Sequence, residues 1–271
     1  MKLAFTTLGC PDWDIDTIIH RAREYGYQGV DFRGYRGAMD IPALPEFSTH
    51  LNVTAARFRD AGLEVPGFSS SARIFAAPAE ALEEIRAYAA ICPAFGAQFI
   101  RVFGGALGAT PRDAAVQQAA RTLREAAAIA VDAGATIVLE THDDWIAAQD
   151  VAAVLEHADA ANAGALWDVH NPYRMRGEAP DDTWRILGRW IKYTHVKDSR
   201  RAPESASGYE LCLTGAGDIP LAAIVAVLKH GRYSGYLTFE WEKRWHPELP
   251  PPEEAFPGYV ACMRGLLAAH T

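Results

Sequence analysis

The 271-residue chain has only four cysteines, Cys10, Cys92, Cys212 and Cys262, far apart and without a Cys-x-x-Cys spacing. That excludes a zinc knuckle and offers no disulfide framework, so free thiols in a reducing compartment are expected. No block of lysine and arginine occurs either. With 26 basic and 34 acidic residues the formal net charge is −8, a field that repels a phosphodiester backbone, and no nucleic-acid partner is expected. No apolar run approaches the roughly 18 residues of a membrane span. The opening MKLAFTTLG reaches Gly9 and Pro11 too soon for a signal peptide, which leaves a cytoplasmic location as the expectation. No G-x-G-x-x-G follows the first apolar run; GAGD at Gly215 to Asp218 comes after a long loop and reads as a loop and helix cap.

What is present is ordinary in amount and regular in order. Hydrophobic residues make up 49% and charged residues 22%, as in a globular protein with a large core. Short apolar, β-branched runs alternate with longer alanine-rich stretches. Strands are predicted at Lys2 to Leu8, Gly29 to Gly34, Leu63 to Ser70, Gln98 to Gly105, Thr136 to His142, Gly164 to His170, Ile191 to Asp198 and Gly235 to Glu242. Helices are predicted at Asp14 to Tyr25, Thr49 to Ala61, Ala79 to Phe95, Pro111 to Ala133, Ala148 to His157, Asp181 to Arg189, Ile219 to His230 and Pro252 to Ala269. Their punctuation is consistent: Asp14 or Asp16 as a cap, Gly26 and Gly134 after helix ends, and a Thr110-Pro111 start. Eight strand–helix units in a chain near the usual length of roughly 250 residues imply an α/β (β/α)8 TIM barrel, one domain over residues 1–271.

Barrel enzymes build their sites from the C-terminal ends of strands. Reading only those ends on strands five to eight gives Glu140 in VLETH, Asp168 in LWDVH, His195 in YTHVKD and Glu240 in TFEWE, at intervals of 28, 27 and 45 residues. One such residue alone is more often a surface acid or a satisfied core histidine. Four on consecutive strands would converge at the rim, and three carboxylates with an imidazole suit one divalent metal, Mn²⁺ or Mg²⁺ before Co²⁺ or Zn²⁺. A cation would also relieve the repulsion among the carboxylates. By the two-residue period of a strand, Lys197 and His142 fall on the same side as His195 and Glu140. Lys197 could meet an oxyanion or pair with Asp198 or Glu240, and His142 could line the pocket. Arg101 on strand four could hold a carboxylate or phosphate, although a structural ion pair is the commoner use of such a residue.

VLETH, LWDVHNPYR, THVKDSRR, TGAGDIPL and TFEWE together resemble the sugar phosphate isomerase/epimerase family of the xylose isomerase-like barrel superfamily, over essentially the whole chain. The resemblance implies that Glu140, Asp168, His195 and Glu240 bind the metal and that Glu140 and Glu240 are the acid/base pair. It implies substrate contacts from Arg201, six residues after the histidine, and from a histidine shortly after the aspartate. In the epimerases that histidine lies three residues on; here His170 lies two on and Asn171 holds the third place. The implied reaction is isomerisation or epimerisation of a small sugar, keto-sugar or cyclitol through an enediolate, with dehydration of an inosose-type substrate as the alternative. Barrels of this group often pair, so a homodimer is among the arrangements it allows. A repair endonuclease of the same superfamily needs extra histidines where this chain has Ser69 to Ser71 and VFGG. A non-catalytic sugar- or metal-binding barrel would have no use for a second acid/base glutamate.

Overall fold

The computed structural model describes residues 1–269. The strands are β1 (Lys2–Thr6), β2 (Gly29–Asp31), β3 (Gly67–Arg73), β4 (Phe99–Phe103), β5 (Thr136–Glu140), β6 (Ala163–Asp168), β7 (Ile191–Val196), β8 (Asp198–Arg201), β9 (Tyr209–Cys212) and β10 (Tyr236–Phe239). The helices are α1 (Ile15–Tyr25), α2 (Leu51–Asp60), α3 (Pro78–Phe95), α4 (Arg112–Ala130), α5 (Ala148–Ala158), α6 (His170–Arg176), α7 (Pro180–Leu187), α8 (Leu221–His230) and α9 (Pro252–Ala269). Eight parallel strands form one sheet in the order β2-β1-β10-β7-β6-β5-β4-β3. Its ends meet through two isolated parallel bridges, Gly29 to Glu64 and Phe32 to Phe68, so the barrel is nearly closed, with a seam between β2 and β3. This is the (β/α)8 architecture expected from the sequence.

Local chemistry explains the elements. Asp14 Oδ1 accepts the Thr17 amide at the start of α1, and Gly26 ends that helix at φ +85°. Ile15, Ile18 and Ala22 make its buried stripe. In the middle of α4, Ala119, Ala120, Ala126 and Ala127 are buried, and such small side chains let the helix lie close against its neighbours.

Along the strands, alternate residues face the barrel axis. A lower layer of Ala4, Val138, Leu166, Tyr193 and Tyr236 packs together with Phe99 against it. Two residues further up the same strands stand Arg101, Glu140, Asp168 and His195. Asp168 is opposite His195 across β6 and β7, and Thr238 is opposite His195 across β7 and β10. Glu240, two beyond Thr238, is therefore level with Lys197.

Three differences from the predicted elements bear on the site. The third strand begins at Gly67 rather than Leu63, because Pro66 has no amide to give a ladder. The segment after the seventh strand is not an open loop: Asp198–Arg201 pairs antiparallel with Tyr209–Cys212. His170 does not continue the sixth strand but starts the short helix α6.

The end of β4 depends on one glycine. A Cβ at Gly104 would overlap the fully buried Trp145 indole, whose Nε1 donates to Gly105 O at 2.9 Å. Gly104→Ala should therefore cost about 1–3 kcal/mol of stability by overpacking, read from urea unfolding; an unchanged midpoint would place the indole elsewhere.

Candidate metal and substrate site

Glu140 at the end of β5, His195 on β7 and Glu240 just past β10 each present one ligand atom within 4.8 Å of the others, and all three are buried. His195 Nδ1 is 3.1 Å from Glu240 Oε1 and 3.5 Å from Glu140 Oε1. The other ring nitrogen, Nε2, faces Asp31 Oδ2 at 3.5 Å, and that oxygen also accepts the Ser69 hydroxyl at 3.0 Å. Burial disfavours the charged ring, but Glu240, Asp31 and Glu140 raise the His195 pKa well above its ordinary value. A metal ligated by Nδ1 would displace the proton there, with the Asp31 carboxylate keeping the one on Nε2. Among the described residues Glu140 Oε1 and His195 Nδ1 have no hydrogen-bond partner despite complete burial. Two orphaned buried atoms aimed at a shared point fit a divalent cation.

The remaining carboxylate oxygens are held by cations. Arg101 Nη1 donates to Glu140 Oε2 at 2.7 Å. Lys197 Nζ donates to Asp168 Oδ2 at 2.7 Å and Glu240 Oε2 at 2.5 Å, and lies 2.9 Å from Glu242 Oε1. Burial pushes Glu140 up, but Arg101 and His195 outweigh it and hold it at about 2. Burial likewise opposes ionisation of Glu240, and Lys197 and His195 bring it well below the usual carboxylate range. For Lys197 burial disfavours the ammonium, and the carboxylates of Asp168, Glu240 and Glu242 reverse that and raise it. Of the two partners proposed from sequence, Lys197 takes Glu240. Asp198 instead accepts the backbone amides of Ser199, Gly215, Gly217 and Ile219, tying down the TGAGD turn.

Asp168, expected as a fourth ligand, is not in the three-residue group. Its Oδ1 accepts the amides of His170 and Asn171 at 2.8 and 3.2 Å, and its Oδ2 accepts Lys197 Nζ and Asn171 Nδ2. A carboxylate offers about four lone-pair sites, and all are taken. His170, expected in the substrate pocket, is fully buried, with Nε2 2.9 Å from Ser199 Oγ and Nδ1 3.1 Å from Asn171 Oδ1. The reason is α6: once Asp168 satisfies the first amides of a helix, the imidazole turns toward β8. Arg201 also departs from expectation. It is exposed on the hairpin, where its amide donates to Asp218 Oδ2 at 3.0 Å.

A cavity of about 590 Å³ opens on the group through Glu240, with Arg33, Ser71, Arg101, Phe103 and His142 in its wall. His142 thus lies where expected, its ring 4.6 Å from Phe103 and its Nδ1 2.8 Å from Asp143 Oδ1. Burial lowers the His142 pKa, and the bond to Asp143 more than restores it. Sequence reasoning missed Asp31 and Arg33, and with them Glu242. The period-two rule reaches all three, from the strand GVDFRG and from TFEWE.

The chain belongs to the xylose isomerase-like TIM barrel family, whose pattern its residues 19–264 match. No curated protein matches it by sequence. Among solved structures it is similar to the IolI protein with a bound zinc atom, with a TM-score of 0.84, 16% identity, and 100% of this chain and 99% of that chain covered. The probable 3-DHS dehydratase AsbF of petrobactin synthesis from Bacillus anthracis gives 0.79 at 17% identity, covering 97% and 99%. A D-psicose 3-epimerase with D-tagatose from Clostridium cellulolyticum H10 gives 0.76 at 14% identity, covering 100% and 98%. Identities this low establish the shared fold.

Lys197→Met should leave uncompensated buried carboxylates and cost about 3–5 kcal/mol in chelator-treated protein, with part of the loss regained on adding Mn²⁺. Urea unfolding with and without metal measures both, and a loss under about 1 kcal/mol would remove the ammonium from this cluster. A second expectation concerns acid. Burial, followed by the Lys197 charge, pushes His170 down to about 4, so the fold favours the neutral ring. That contribution is whole above the ordinary value near 6.5 and is lost as pH falls toward 4, to a total of about 3 kcal/mol. The stability difference between wild type and His170→Gln should shrink over that window and stay constant above it.

Proposed function

We propose that this protein is a divalent-metal-dependent isomerase or epimerase of a small sugar, keto-sugar or cyclitol. The observation that carries the reading is a pair of buried glutamates, Glu140 and Glu240, on either side of His195, each kept ionised by its own cation, with Glu240 in the wall of a cavity. A binding module has no need of two such carboxylates. The zinc in one similar structure and the sugar in another support the choice of metal-assisted sugar chemistry.

Glu140, His195 and Glu240 would hold the metal, and Mn²⁺, Mg²⁺, Co²⁺ and Zn²⁺ all suit two carboxylates and an imidazole. When bound, the ion supplies Lewis acidity to a substrate carbonyl and so acidifies the neighbouring C–H. The chain does the rest. One glutamate removes the proton from the carbon beside the carbonyl, and the other delivers a proton to the adjacent carbon for isomerisation or to the opposite face for epimerisation. Asp31 orients His195. Asp168 fixes the Lys197 ammonium beside Glu240, and it would join the metal only by releasing that ammonium. His142 borders the substrate in this reading, whereas His170 and Arg201 serve the surrounding loops.

Lys197 favours a second reading, a dehydratase. An ammonium beside the proton-accepting Glu240 would stabilise the negative charge that develops as a β-hydroxyl departs after the same first step, and a probable dehydratase is among the similar structures.

The purified protein should carry close to stoichiometric divalent metal by elemental analysis and lose it in His195→Ala. In deuterated water, a panel of ketoses and inososes should yield a substrate that gains deuterium beside its carbonyl; retention of the hydroxyls selects the isomerase, and loss of one as water selects the dehydratase. Failure to bind metal under any loading condition would sink both readings.

A further inference from the structure

Besides the exposed Arg73, the wall of the cavity carries two buried guanidinium groups that the chemistry above does not use fully. Arg101 is 2% exposed, and only its Nη1 is engaged, by Glu140; its Nε and Nη2 have no partner among the described residues. Arg33 follows β2 by two residues, is 9% exposed, and spends one N–H on the Ser71 hydroxyl across the barrel seam at 2.8 Å. No carboxylate lies within ion-pair distance of Arg33 among the described residues. Both guanidiniums share the Phe103 ring, Arg101 at 3.8 Å from its centroid and Arg33 at 5.8 Å.

Two buried like charges with spare donors are costly unless an anion meets them. Burial, and to a smaller extent the proximity of Arg101, bring Arg33 down to about 10. The nearby acids are otherwise occupied. Glu84 Oε1 accepts the Ser71 amide at 2.6 Å, Asp143 pairs with His142, and Asp144 Oδ2 accepts the Leu107 amide at 2.7 Å. Planar guanidinium edges match the paired oxygens of a carboxylate or a phosphate, and both residues line the cavity that opens on Glu240.

We propose that Arg33 and Arg101, with the Ser71 hydroxyl, bind an anionic group of the substrate, a carboxylate or a phosphate monoester, on the side of the cavity formed by the ends of β2, β3 and β4. This rests on the sugar-converting reading above and narrows it to sugar acids or sugar phosphates. The spare N–H groups of Arg101 take the anion while its Nη1 stays on Glu140, so one side chain ties substrate position to the orientation of an acid/base residue.

The test is calorimetric titration of the metal-loaded protein with two matched pairs, D-glucose with D-glucuronate and D-fructose with D-fructose 6-phosphate. At least one acid should bind tenfold or more tightly than its neutral partner, and the pair that shows the preference identifies carboxylate or phosphate as the group read. Arg33→Gln should bring the members of that pair to within about threefold, Arg33→Lys should restore part of the preference, and retained metal in both variants checks that the fold is intact. Equal affinity within both pairs, or a preference that survives Arg33→Gln, overturns the proposal. Because binding is read without turnover, an anion preference that persists in a protein unable to exchange deuterium separates failure of the isomerase reading from failure of this one.

Discussion

Glu140, Asp168, Glu240 and Glu242 crowd the mouth of the barrel, and carboxylates packed this closely with so little water repel one another unless cations stand between them. Nearly every polar choice around the rim answers that requirement. Lys197 sits among three of the four, Arg101 holds the fourth, and His195 is oriented by Asp31. The fold makes the crowding possible because consecutive parallel strands end side by side, each aiming one residue inward at the same height. The barrel below is filled by Tyr193, Tyr236, Leu166 and Val138, so the charges rest on a dry floor that keeps their interactions strong.

How much of this was legible in the sequence depended on which rule reached which residue. Strand–helix alternation gave the barrel, and the last inward residue of each late strand gave Glu140, Asp168, His195 and Glu240 together. The rule speaks of position and not of occupancy. Nothing in LWDVHNPYR says that the two amides after Val169 would turn back onto Asp168, filling its lone pairs and starting a helix that buries His170. Pro172, which is tolerated in the first turn of a helix, was the available sign.

Arg201 lies away from the cavity for a different reason. Its role came only from a count of six residues along a loop, and that loop folds into a hairpin that carries the side chain outward. Arg33 and Asp31 were missed because ligands were sought only at the ends of strands five to eight, although the predicted strand Gly29 to Gly34 contains both and both obey its alternation. The early strands thus carry part of the cavity wall.

The seam between β2 and β3 gives the barrel an unequal circumference. Elsewhere adjacent strands are joined by ladders of backbone hydrogen bonds; there two isolated bridges and the side-chain contacts of Asp31 with Ser69 and of Arg33 with Ser71 cross the gap. Local opening starts where such bonds are fewest. The wall that faces the cavity from β2 and β3 is therefore the compliant part of the ring, and the β5 to β10 arc that holds Glu140, His195 and Glu240 is the stiff part. A molecule gripped from both arcs would act as a tie rod across the ring, and its departure would give the wall back its slack.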